Sequence, residues 1–169
     1  ARSKALNALF DEIWQARLKH SPEYASYLGD KRYNDQLTDY SVQAVNATLA
    51  RERGYIERLG MIDTTGLPDQ EKLSAELMMR SLIDDQEAAK FKEWEMPVNQ
   101  FNGFHTDLAQ IPSDLQFDSV KDYDDYISRL QKVPTAFSQI TVNMQAGIDE
   151  GYLDLGEVAP VFDDARALA

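Results

Sequence analysis

Apolar residues in this chain recur every three or four positions, and no stretch sustains a period-two alternation of β-branched residues. That periodicity is the signature of amphipathic helices and excludes half-buried strands. Leu6, Leu9, Phe10, Ile13, Trp14 and Leu18 form a first stripe. Val42, Val45, Leu49, Ile56 and Leu59 form a second, and Leu73, Leu77, Leu82 and Ile83 with Met78 and Met79 a wide third. Tyr123, Tyr126, Ile127 and Leu130 mark one more face, followed by Val133, Phe137, Ile140, Met144 and Ile148. The expected class is all-α, an irregular array of about six helices with one long aromatic loop.

The punctuation agrees with the stripes. Ser21-Pro22 stops one helix and opens a short one carrying Tyr24, Tyr27 and Leu28, with Gly29 where a left-handed C-terminal cap belongs. Ser3 and Ser41 are candidate N-caps, and Ser119 with Asp122 has the spacing of a capping box. Residues 63–68 break the chain before Asp69 and Glu71, two acids suited to a helix first turn. Val133-Pro134 starts the last long helix and Gly151 ends it, and Pro160 opens a candidate short helix beyond. Gly54 falls inside a helical stretch, where it costs about 1 kcal/mol against alanine, so a close helix contact or a bend is expected there. Residues 93–117 form a long connection with Trp94, Phe101, Phe104 and Phe117, in which residues 106–110 have room for one helical turn.

A length of 169 residues suits a single helical domain, residues 1–169, able to bury roughly 70% of its unfolded surface. There are no cysteines, which excludes disulfides, thiolate metal sites and cysteine nucleophiles and leaves the compartment unassigned. Acids outnumber bases 29 to 17, for a formal charge of −12. Such a surface repels phosphate backbones and anionic membranes, so nucleic acid is not an expected partner. Its plain consequence is solubility, and its sharper one a cleft that attracts cationic peptides. No apolar run approaches the roughly 20 residues of a membrane span. The chain opens at Ala1, which fits a removed leader or a trimmed sequence.

Chemistry-bearing residues are few. The two histidines, His20 and His105, lie far apart, and neither sits in an H-E-x-x-H motif. A catalytic zinc needs three protein ligands, so no metal or catalytic residue is assigned to this chain. His20 falls at a helix end, where its charged form suits the macrodipole. Asn102, Gly103 and His105 stand in the aromatic connection, where the glycine lets backbone approach a ligand. The plainer role for His105 is a surface position in a loop anchored by phenylalanines. The acidic clusters Asp84-Asp85, Asp122-Asp124-Asp125 and Asp163-Asp164 lack calcium-loop spacing and read as solvated faces.

Two stretches carry a family likeness. Within residues 20–41 it rests on Ser21, Pro22, Tyr24, Leu28, Gly29, Asp30, Tyr33, Asp35 and Ser41. Within residues 96–152 it rests on Pro97, Gln100, Gly103, Leu108, Tyr123, Tyr126, Arg129, Leu130, Pro134, Met144, Gly147 and Gly151. Their order resembles the front of a large bacterial family known as domain of unknown function 885, whose members resemble helical zinc metallopeptidases. Such members are several times longer, and their zinc-binding helix lies downstream of the matched region, so no catalytic residue carries over. The tail after Tyr152 departs from the family pattern.

The resemblance implies a non-catalytic N-terminal portion of a longer zinc-dependent peptidase, whose front helices wall a substrate channel lined by Asn102, Gly103 and His105. It implies zinc in the full-length protein, the remainder of the polypeptide as partner, a peptide as substrate, and a cell-envelope location, since some members resemble exported lipoproteins. The alternative is a free-standing helical interaction module without enzymatic activity. A purely structural domain is a third.

Overall fold

The computed structural model describes residues 2–99 and 102–152. Seven α-helices occur among them: α1 (Arg2–His20), α2 (Pro22–Tyr27), α3 (Val42–Gly60), α4 (Asp69–Ala88), α5 (Phe104–Asp114), α6 (Val120–Leu130) and α7 (Val133–Asp149). Three single 3-10 turns, Lys31–Tyr33, Ala89–Phe91 and Glu93–Glu95, join them, and no strand occurs among the described residues. The all-α class therefore holds. The helix at Pro160 falls outside the described residues. The chain divides into two compact units, one of residues 1–17 with 43–92, the other of residues 18–42 with 93–169.

The first unit buries one stripe from each of three helices. Leu6, Leu9 and Ile13 of α1 meet Tyr55 and Leu59 of α3 and Ala75 and Leu82 of α4, with Phe10, Ile56, Met78 and Met79 packed around them. The spacing of these residues puts each set on one helix face, and burying it stabilises the unit by about 25 cal/mol per Å² of apolar surface. Polar pairs tie the rims. Arg58 donates to both Glu12 oxygens at 2.7 and 2.6 Å, and the Ser3 hydroxyl donates to Glu71 Oε1 at 2.7 Å. Ser3 thus lies inside α1 and is not its cap.

Three of the expected core stripes were drawn too wide. Trp14, Val42, Leu73, Leu77 and Ile83 are exposed. A helix in a three-helix packing buries a face narrower than its whole apolar band, and large apolar side chains at its margins stay in water. Gly54 gives a second correction. A Cβ at this position would meet nothing within 4 Å, so no close helix contact requires the glycine. It sits in continuous α3 with only its entropic cost.

The second unit is organised by α7. Ala136, Ile140 and Met144 pack on Phe104 of α5, with Tyr40, Leu37, Val98 and Phe137 around them. Phe104 is the hub: its ring lies 5.5 Å from Tyr40 and 5.1 Å, edge-on, from Phe137. Such pairs contribute about 0.5–1.5 kcal/mol beyond area burial. The aromatic connection is more helical than a single turn: α5 runs to Asp114 and carries Pro112 in its interior, giving up one helical hydrogen bond. Gly147 lets α7 meet the Glu93–Glu95 turn, because a Cβ there would stand 2.5 Å from the Glu95 carbonyl oxygen.

Two glycines in helix interiors therefore respond oppositely to alanine. Gly54→Ala raises stability by about 0.5–1 kcal/mol, through helix propensity alone. Gly147→Ala lowers it by about 1–3 kcal/mol, because rigid backbone must move. Urea midpoints at constant m-value measure both, and equal shifts of the same sign would refute the assignment.

Candidate functional site

The expected channel residues lie at the start of α5. The Asn99 N–H donates to the Asn102 carbonyl at 2.9 Å, and the Asn102 N–H donates to Asn99 Oδ1 at 2.9 Å. These two bonds join Asn99 to Asn102 just before the helix. Gly103 follows with φ 157 and ψ 165 as the N-cap position of α5. Its carbonyl accepts from the Thr106 N–H at 2.9 Å, the Asp107 N–H at 3.1 Å and the Thr106 hydroxyl at 2.7 Å. Any side chain at Gly103 would strike the His105 ring, at 2.8 Å from Nδ1, and Val98 Cγ1, at 3.2 Å. Glycine here is a packing requirement: His105 folds back over it.

Exposure differs along the triplet. Asn102 is exposed, Gly103 buried and His105 half-buried, while Phe104 between them anchors in the core. The junction thus presents an amide and an imidazole from a fixed base. The neighbouring 34–41 segment is equally well held. Thr38 donates its N–H and hydroxyl to the two Glu23 oxygens at 3.0 and 2.7 Å. Tyr40 is clamped by Gln139 and Asn143 of α7, at 2.9 and 2.7 Å. Burial, with Glu23 and Asp107 nearby, pushes the Tyr40 phenol well above its usual range, so it stays a neutral hydroxyl. At Asp39 burial works against ionisation, but the Ser41 N–H and the Gln139 amide outweigh it and hold the carboxyl below its usual range.

A concavity lies elsewhere. An open groove of about 490 Å³ runs along the first unit, floored by Leu59, Ile62, Ala75, Met79 and Ile83 and edged by Lys72, Glu76, Arg80 and Asp84. It offers no convergent set of reactive groups. Among the described residues, no group of three or more His, Cys, Asp or Glu side chains is placed to hold a metal ion. Among the described residues His20 and His105 share no such cluster with a third ligand, so no zinc ligand is assigned to them.

The residues that sequence reading underrated are on α6. Asp122, read as part of a solvated acidic face, is buried. Its carboxylate accepts from the Ser119 N–H and hydroxyl at 2.8 and 2.9 Å, from the Asp118 N–H at 3.0 Å and from Lys31 Nζ at 3.1 Å. Two turns along the same face, Arg129 is 0% exposed. Its Nη2 donates to the Ser26 hydroxyl and the Tyr33 carbonyl, both at 2.8 Å, while Nε and Nη1 have no hydrogen-bond partner. Burial pushes the guanidinium down from its usual range, against Glu23 and Asp35, which favour its charge. The seven-residue interval between Asp122 and Arg129, two helical turns, was the available signal. Asp84 and Asp85 are exposed as expected, and Asp163 and Asp164 lie outside the described residues.

A family model described as a bacterial protein of unknown function (DUF885) matches residues 22–167. No curated protein matches the chain.

The Asp122 site has a pH consequence. The Ser119 hydroxyl lowers the Asp122 carboxyl below its usual range; burial opposes this, and Lys31 reinforces it. A depressed folded pKa contributes stability that is present above the unfolded value of about 3.9 and lost as pH falls through the folded value. Asp122→Asn removes that contribution. Urea midpoints compared at about pH 5.5 and about pH 2.5 should fall less in the variant than in the parent. An equal fall in both would mean the carboxylate is not held in its charged form.

Proposed function

The chain belongs to the DUF885 family, and on that premise we propose that it is the non-catalytic N-terminal helical region of a zinc-dependent peptidase, with the junction at residues 102–105 forming part of the substrate-channel wall. The observation that carries this reading is the junction itself. An exposed amide and a half-buried imidazole flank Phe104, which is buried in the core, and Gly103, whose backbone conformation L side chains rarely adopt. Loops held on a scaffold are where binding residues concentrate. The acidic balance of the chain, −12, is consistent with a wall that draws in cationic peptides. Zinc and the groups that activate water belong, in this reading, to the rest of the polypeptide. Export to the cell envelope, with or without a lipid anchor, is part of the same proposal. Among the described residues no helix is long and apolar enough to cross a membrane.

The test uses the full-length protein. Its intact mass from the native source should lie far above 19.2 kDa, and the preparation should bind zinc and hydrolyse peptides. Asn102→Ala and His105→Ala should each lower kcat/KM for a peptide substrate by about tenfold, the loss of one substrate contact of roughly 1.4 kcal/mol. Unchanged kcat/KM in both would remove the junction from the channel. A native mass near 19.2 kDa would replace the peptidase reading with a free-standing interaction module.

A further inference from the structure

Helix α6 is turned against its own amphipathicity. Its charged residues Asp122 and Arg129 are buried, while Val120, Tyr123, Ile127 and Leu130 are 77%, 55%, 52% and 39% exposed. The exposed four follow one another at intervals of three, four and three residues, the spacing of a seam that packs against another helix. The helix is held in this orientation. Asp122 is fastened to Ser119 and Lys31, and Arg129 to Ser26 and Tyr33. Rolling α6 to bury the seam would break these bonds and take the Arg129 donor away from the Ser26 hydroxyl and the Tyr33 carbonyl, so the seam is not a core face left loose.

We propose that the α6 seam receives an amphipathic helix from the downstream part of the same polypeptide, with basic residues along the side that faces Asp124. This rests on the reading of the chain as the front of a longer protein. Two observations select that occupant. The first is charge. Asp124 lies one turn beyond Val120, exposed on the rim of the seam. The nearby cations are already paired, Lys121 with Asp125 and Lys31 with Asp118 and Asp122, which leaves Asp124 to a partner. A second copy of a chain with net charge −12 would bring the same acids to this rim. Residues 153–169 are no better suited, since they hold Asp154, Glu157, Asp163 and Asp164 against Arg166 alone. The second is size. α6 has 11 residues, a length of about 16 Å. Four side chains on so short a helix fall well below the roughly 800 Å² per partner of a stable association between separate molecules. A tethered helix, at the millimolar effective concentration of a covalent connection, needs no such area.

Photo-crosslinking of the full-length polypeptide tests the proposal. A benzophenone amino acid replaces Tyr123 or Ile127 in turn, with Val142, exposed on α7, as the control position. Both seam positions should crosslink within the chain to one segment beyond residue 169 that is helical in period and carries Lys or Arg. Asp124→Lys should lower that yield severalfold, and Asp124→Asn should lower it less. Crosslinks to a second copy, to residues 153–169 or to another protein would overturn the proposal, as would yields no higher than at Val142. Zinc content and peptide hydrolysis of the same preparation separate the two readings. The expected crosslink without zinc or hydrolysis defeats the peptidase assignment and keeps the seam. Zinc and hydrolysis without the crosslink do the reverse.

Discussion

The buried guanidinium of Arg129 constrains the second unit more than any apolar contact does. Charge taken out of water is tolerated only where oxygens are fixed to meet it. Here the oxygens come from Ser26 on α2 and the carbonyl of Tyr33 in the following turn, each at 2.8 Å. Those two elements are therefore held to α6 at a defined distance and rotation. Asp122, two turns earlier, adds Lys31 from the same 3-10 turn. The polar face of α6 is thus its inward face, and its apolar face is outward as a consequence. An isolated helix of this sequence would bury the opposite side.

Around that polar junction, the aromatic cluster supplies shape. Phe104 sits between Tyr40 and Phe137 and also opens α5. Its burial fixes the first residue of the helix, and with it the positions of Gly103 before it and His105 after it. Gly103 and Gly147 both answer to close packing, one under an imidazole ring and the other against a carbonyl. Neither is a flexible point.

Much of this was legible beforehand. Ser21-Pro22, Gly29 and Gly151 act through backbone conformation, a local property, and each ends or begins a helix where expected, with Gly29 and Gly151 at φ 82 and 79. The inward faces of α1 and α7 follow from periodicity because most of their apolar residues share one side. Periodicity misled on α4 and α6. On α4 the apolar band is wider than the contact, and nothing local says which edge stays wet. On α6 the pattern is clear and the orientation inverted, because the hydrogen bonds that hold its buried guanidinium come from partners roughly a hundred residues away in sequence. The candidate junction was legible only in its residue types. That His105 covers Gly103, and that Asn99 bonds to Asn102, depends on side-chain geometry that spacing does not encode.

The amino-acid sequence alone determined that this protein is helical, where most of its helices start and stop, and that no disulfide or thiolate metal site can form in it. Those outcomes depend on local backbone preferences and on composition, both complete within a few residues. Tertiary structure decided which face of each helix is inward, that Asp122 and Arg129 belong to the interior, and that Gly147 is indispensable where Gly54 is not. The physical reason is that burial and hydrogen-bond satisfaction belong to pairs of segments. A helix does not carry in its own sequence the identity of the oxygen or carbonyl that will meet it.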